Sequence, residues 1–338
     1  MYQASRHPMI KSFAHRVWLS LLTGYIFLYY GEIMFWATPD REGINPSGLF
    51  LTWLVYSVFA YVFLCVAAGF RVRSPWAVFL AGAVFGWFEE GIVLQTTYGS
   101  PDTPFPISIS FTGLAWHALI DVLVGWFVVR KVLAENRPLR MVSVAALIGA
   151  FYGFWAVFWW TEPPEPMRLL FQAGREDLIL LRFGGFALVT TALLIGSLWL
   201  YNRRMPRPFT PSKAEQWILG LATLAYFGLV TIPAAPKAIW VLPLLLGLTF
   251  LALDRNRRVE DRPDAIVAFN PEVGFWSYLA LMFIPLVATT IYALALAVDA
   301  RLRSNIVVFY ATNVLGAGLW IASVCVVLRR GRIHAFLP

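Results

Sequence analysis

The 338-residue chain is 59% hydrophobic, 16% aromatic and 14% charged, with a net charge of +8 and a mean hydropathy of +0.67. Soluble domains carry about 25% charged residues, so a water-covered globule, a disordered chain and a coiled coil are excluded. Only Cys65 and Cys325 are present, both in apolar runs, which excludes a disulfide scaffold. What remains is an all-α, polytopic integral membrane protein.

Apolar runs near the ~20 residues that cross hydrocarbon fall at about 17–37, 49–70, 76–98, 108–129, 141–160, 179–201, 215–233, 236–253, 273–298 and 304–328, about ten transmembrane helices. The first run is longer than the core of a secretory signal and no small-residue cleavage site follows it, so it reads as an anchor. Lys and Arg counted on alternate sides total 20 against 7. The richer side holds both chain ends and the segments 71–73, 130–140, 202–214 and 254–272. The positive-inside rule then places both termini in the cytoplasm. The basic charge follows topology, and with no basic patch interleaved with aromatics, no nucleic-acid partner is expected.

Between helices five and six, the acidic, proline-rich segment 161–166 leads into a short interfacial helix expected around Met167–Phe171. Pro233, Pro236 and Pro243 interrupt helices seven and eight, and Pro285 lies in helix nine. Nothing corresponding occurs in the first half, so the paired broken helices of transporter repeats are not matched. The expected organisation is one membrane-embedded domain. Residues 1–140 form a four-helix N-terminal half carrying buried acids, and residues 141–338 a six-helix apolar half.

The ionisable groups deep in the spans are Glu32, Glu89, Glu90, His117 and Asp121, all in the first four helices. Charges inside hydrocarbon cost about 2.5–3.5 kcal/mol each on insertion scales, so such groups have partners or a function. At 1.5 Å per residue, Glu32, Glu89 and Glu90 lie roughly 20 Å above the inner ends of their helices, and His117 roughly 14 Å below the outer end of its own. All reach a similar level above the midplane, with Asp121 one turn deeper. Gly82, Gly86 and Glu90 recur every four residues on helix three, as do Gly113, His117, Asp121 and Gly125 on helix four. Such stripes share one face, and their glycines let membrane helices approach closely. If the stripes face each other, with Gly86 and Gly113 supporting the approach, Glu90 reaches His117.

Adjacent carboxyls in a low dielectric suit proton transfer, one neutral and one charged. Glu90 is the expected general acid or base, Glu89 its proton-sharing partner, His117 the polarising group and Asp121 the group that orients it. Glu90 and His117 could also bind a divalent metal such as zinc at an open catalytic position. The plainer reading makes these groups interhelical glue worth about 0.6 kcal/mol per hydrogen bond. Glu32 could instead snorkel to the outer interface, and Trp87, Trp116, Tyr29 and Tyr30 either pack or line a substrate cleft.

The run Phe88-Glu89-Glu90, followed by Trp116-His117-Ala118-Leu119-Ile120-Asp121, resembles the CAAX-protease and bacteriocin-processing superfamily and the related PrsW-type intramembrane proteases. The resemblance implies a water-activating Glu within the tandem pair, with His117 matching a family histidine and Asp121 the Asn/Asp four residues after it. The chain departs from the family at Leu94, where Glu-Glu-x-x-x-Arg has its Arg, and at Gly113, where Phe-x-x-x-His has its Phe. The leading expectation is an intramembrane enzyme performing hydrolysis or acid–base chemistry on a membrane-dissolved peptide or isoprenoid-like lipid. The alternatives are a proton- or cation-coupled transporter using the same carboxylates, and a structural subunit of a membrane complex. The short loops point to a prokaryotic plasma membrane.

Overall fold

A computed structural model describes residues 7–38, 46–101, 103–204, 208–269 and 272–334. Arg6, Arg41 and Arg207, counted among the charges, and Met205 and Pro206 of the 202–214 segment lie outside the described residues. The described residues are helical with no strand, and ten helices are long and apolar enough to cross a membrane. They are α1 (Ser12–Trp36), α2 (Pro46–Gly69), α3 (Pro75–Val93), α4 (Ile107–Ala134), α5 (Pro138–Thr161), α6 (Glu176–Arg203), α7 (Lys213–Ala234), α8 (Ala238–Val259), α9 (Phe275–Ala297) and α10 (Ser304–Arg329). The short helix expected after α5 spans Glu165–Gln172.

Local chemistry sets several boundaries. Ser74 caps α3, its Oγ accepting from Ala77 N–H at 3.2 Å, with Pro75 in the first turn where no N–H is needed. Ser212 and Glu215 form a reciprocal capping box at the start of α7. Helix three ends at Val93, earlier than its apolar run, because Gln95 takes a left-handed φ of 63° before the single turn Thr96–Tyr98. Pro243 does not interrupt α8, which runs unbroken through it; the break lies at Ala235–Lys237.

Alternate connections gather at opposite ends of the bundle. At one end Arg71 and Arg73 donate to the carbonyls of Glu260 and Pro263, and Asn256 to those of Phe70 and Arg71. Asn136 accepts there from the Gly274 N–H. At the other end Trp160 donates to Asp299 and Thr161 to the Leu302 carbonyl. Two arginines counted with the basic loops are in fact buried. Arg130 is 1% exposed, donates to the carbonyls of Ala265 and Ile266 and lies over the rings of Trp126 and Tyr201. Arg16 pairs with Glu215, tying α7 to α1.

Helix α4 packs against α1, α3 and α10, while α5 packs chiefly on α9. Helix α7 is the most exposed, with 6% of its apolar window buried. Its far end is held where Thr231 donates to the Ile92 carbonyl of α3.

Candidate acid–base site

The three helices that carry the buried acids each loosen where those acids lie. Residues Tyr29–Ile33 of α1, Phe88–Val93 of α3 and Gly113–Val128 of α4 are π-helical. There the Leu94 N–H bonds the Glu89 carbonyl and the His117 N–H that of Thr112, five residues back. π-turns are rare and concentrate at functional sites. Glu32, Glu89, Glu90, His117 and Asp121 all fall inside these segments.

The glycine stripes of α3 and α4 do meet. A Cβ on Gly86 would overlap the backbone of Gly113, and one on Gly82 would lie 2.9 Å from the Ala118 Cα. The stripe on α4 is nevertheless split between two neighbours. A Cβ on Gly31 of α1 would lie 2.7 Å from Asp121 Oδ2, and Gly125 receives the ring of Tyr30. Helix four therefore presents its upper glycine to α3 and its lower polar and glycine positions to α1.

With the backbones this close, Glu90 Oε1 lies 3.0 Å from His117 Nε2, and Asp121 Oδ2 lies 2.8 Å from Nδ1. Each contact needs one hydrogen between its atoms, so the line Glu90–His117–Asp121 holds two protons. Either the ring is an imidazolium between two carboxylates, or it is neutral and one carboxyl carries the second proton. Glu89 Oε2 lies 3.7 Å from the same Nε2 and accepts no hydrogen bond. Glu89, Glu90, His117 and Asp121 are all at most 5% exposed. Thr96 donates to the outer oxygen of Glu90, and Phe85 presents its ring edge-on to His117 at 5.2 Å between centroids.

Glu32 stands apart from this line. It is half-buried, and its Oε1 accepts from the Tyr56 hydroxyl at 2.9 Å. Both His117 nitrogens already meet carboxylates, and no group of three or more His, Cys, Asp or Glu among the described residues is arranged to hold a metal ion. The expectation of zinc on Glu90 and His117 therefore finds no donor set that fits it.

A cavity of about 260 Å³ opens on Glu90 and His117, walled also by Glu32, Thr96, Thr103 and Trp116. Through Glu32, Thr103, Phe111 and Trp116 it adjoins a groove of about 480 Å³ lined by Phe35, Trp155 and Phe309. Both lie toward the end opposite the basic loops, since Trp36, Phe158 and Asn305 complete the groove. Of the aromatics flagged in the sequence, Trp116 lines both spaces. Trp87 donates to the Ile109 carbonyl, Tyr29 bonds Thr191 and Tyr30 fills the gap at Gly125, so these three pack.

Sequence reasoning missed Tyr56, Thr96 and Thr103. Tyr56 sits in a helix that carries no acid, base or histidine, and the two threonines belong to the α3–α4 connection, which folds back over the acids. The one available signal was the polarity of that connection between two apolar spans.

No protein-family model, no curated protein and no solved structure matches this chain. The resemblance to the intramembrane proteases rests on Glu89, Glu90, His117 and Asp121 alone.

Proposed function

We propose that the ten helices cross a membrane with both termini in the cytoplasm, and that the protein is an intramembrane acid–base enzyme. The observation that carries this reading is that the buried line Asp121–His117–Glu90 ends on a cavity, and that of its three members Glu90 and His117 reach the wall. Asp121 holds the Nδ1 side of the ring, fixing the imidazole so that Nε2 faces Glu90. Glu90 takes a proton from a water or substrate hydroxyl in the cavity and returns it to the leaving atom. His117 shares the proton in the interval, because the hydrogen between Nε2 and Oε1 is common to both. Glu89 beside them supplies a second carboxyl that stores or releases a proton.

Beneath the cluster the helices pack closely, through Gly31 on Asp121, Tyr30 on Gly125 and the Phe63–Trp126 ring pair. Hydrolysis of a membrane-dissolved peptide or long-chain ester is the reaction class that these groups suit best.

The test uses purified protein in sealed proteoliposomes with a quenched-fluorescent transmembrane peptide and a long-chain acyl ester. Products are followed by mass spectrometry and internal pH by a trapped dye. Product formation by the wild type, absent in a folded Glu90→Gln protein, is the expected result. A pH-driven flux without product, or full activity in Glu90→Gln, would overturn the reading.

A further inference from the structure

The three π-helical segments around the acids are joined by a fourth. Residues Phe227–Thr231 of α7 are π-helical, and they carry no acid, base or histidine. Helix α7 lies almost wholly on the outside of the bundle, and of its 22 residues Thr231 alone is buried, at 0% exposure. That one buried side chain bears a hydroxyl, and its Oγ1 donates to the Ile92 carbonyl at 2.7 Å. Ile92 belongs to Phe88–Val93, the π-helical segment of α3 that holds Glu89 and Glu90.

The last carbonyls of a helix have no N–H partner within it, and in hydrocarbon each needs another donor. At the end of α3 side chains supply them. Gln95 donates to the Val93 carbonyl at 3.2 Å, and the Tyr98 hydroxyl to that of Gly91 at 2.7 Å. Those two donors follow α3 directly in the chain, whereas Thr231 comes from 139 residues beyond Ile92. A π-turn holds one residue more than an α-turn, so its relaxation to α-helix would rotate the residues beyond it by roughly 100°. Glu90 lies in that turn, and its 3.0 Å contact with His117 Nε2 depends on the orientation the turn sets. We infer that Thr231 is a positioning residue of the acid–base centre: its hydrogen bond holds the end of α3 in π-helical form and so keeps Glu90 on His117. The inference rests on the reading of Glu90 and His117 as that centre. At its other end α7 is tied separately, where Glu215 accepts from Arg16 and from the Tyr61 hydroxyl.

Protein isotope-labelled at its histidine nitrogens, in lipid bilayers, is measured by solid-state NMR, and the His117 signals are identified by their loss in His117→Gln. Thr231→Val keeps the side-chain shape and removes the donor. It should move the Nε2 signal toward its position in Glu90→Gln. Thr231→Ala, without a branched side chain, gives the same test if Thr231→Val does not fold. Thr231→Ser keeps the donor and should leave the signal in place, as should Tyr61→Phe, which loosens only the other end of α7. Turnover in the same samples should fall by about 10²-fold in kcat for Thr231→Val with KM unchanged, and recover in Thr231→Ser. An unmoved signal in Thr231→Val, an equal displacement in Tyr61→Phe, or a Thr231→Ser protein that behaves like Thr231→Val would each overturn the inference. The outcomes separate the two claims. A signal that follows the Thr231 hydroxyl in a protein without turnover sinks the enzyme reading alone. Turnover that depends on Glu90, with a signal indifferent to Thr231→Val, sinks this inference alone.

Discussion

Two helix pairs in this protein are built by the same device and differ in what they carry. At α3–α4, Gly82 and Gly86 bring the backbones into contact, and at α5–α9, Gly149 and Gly153 do the same against Ile284 and Ala288. In both pairs the glycines lie four apart, and a Cβ on Gly149 or Gly153 would lie 2.5–2.7 Å from a carbonyl oxygen of α9. Around Gly86 the helices turn π-helical and hold Glu89, Glu90, His117 and Asp121, whereas α5 is α-helical throughout and meets α9 without an acid, base or histidine. Small-residue stripes are therefore a packing device that says nothing of function by itself. What distinguishes the first pair is the coincidence of loosened backbone, ionisable side chains and a cavity.

The comparison is sharpened most by removing the acid. Glu90→Gln should lower turnover by about 10²–10⁴ while leaving the fold intact, as seen by size exclusion and circular dichroism. Turnover within tenfold of wild type would make the α3–α4 cluster glue, and the two interfaces would then be alike. Steric substitutions come next. Gly86→Val and Gly153→Val should each destabilise by ~2–3 kcal/mol, because the added methyls meet backbone that cannot yield. Thermal unfolding in detergent measures both, and a tolerated Gly153→Val would show that α5 and α9 are not in backbone contact.

A smaller effect is expected at the edge of the cluster. Tyr56→Phe removes the hydrogen bond to Glu32 and should cost ~1–2 kcal/mol, read as a lowered melting temperature that a Tyr56→Phe/Glu32→Gln double variant does not lower further. Additive losses would mean that the two groups do not share a bond. Smallest of all is Gly196→Ala on α6, where a methyl meets open space. Helix propensity predicts a gain of up to ~1 kcal/mol there, and a loss would mean that this face of α6 is covered.

The spans and the meeting of Glu90 with His117 were legible because they depend on periodicity. Hydropathy marks the helices, and residues four apart stack, so a glycine ladder ending in Glu90 and another holding His117 could only join productively face to face. The π-turns were not legible, since Tyr29–Ile33 and Gly113–Val128 have no composition that distinguishes them from ordinary helix. Nor was the burial of Arg130, which reads as a basic loop residue until its guanidinium is seen among Trp126, Tyr201 and two carbonyls. Its position depends on the 263–269 segment, more than 130 residues away.

By itself the sequence determined ten apolar helices, an alternation of basic and less basic ends, and the restriction of buried acids to α1, α3 and α4. Those are local properties: each follows from the cost of burying charge and backbone in hydrocarbon, residue by residue. The tertiary structure alone decided that α4 divides its glycine stripe between two partners. It also decided that Thr96 and Thr103 fold back over Glu90, and that the acids border a cavity rather than only one another. Such features arise from contacts between segments far apart in the chain, and no periodicity within one helix encodes them.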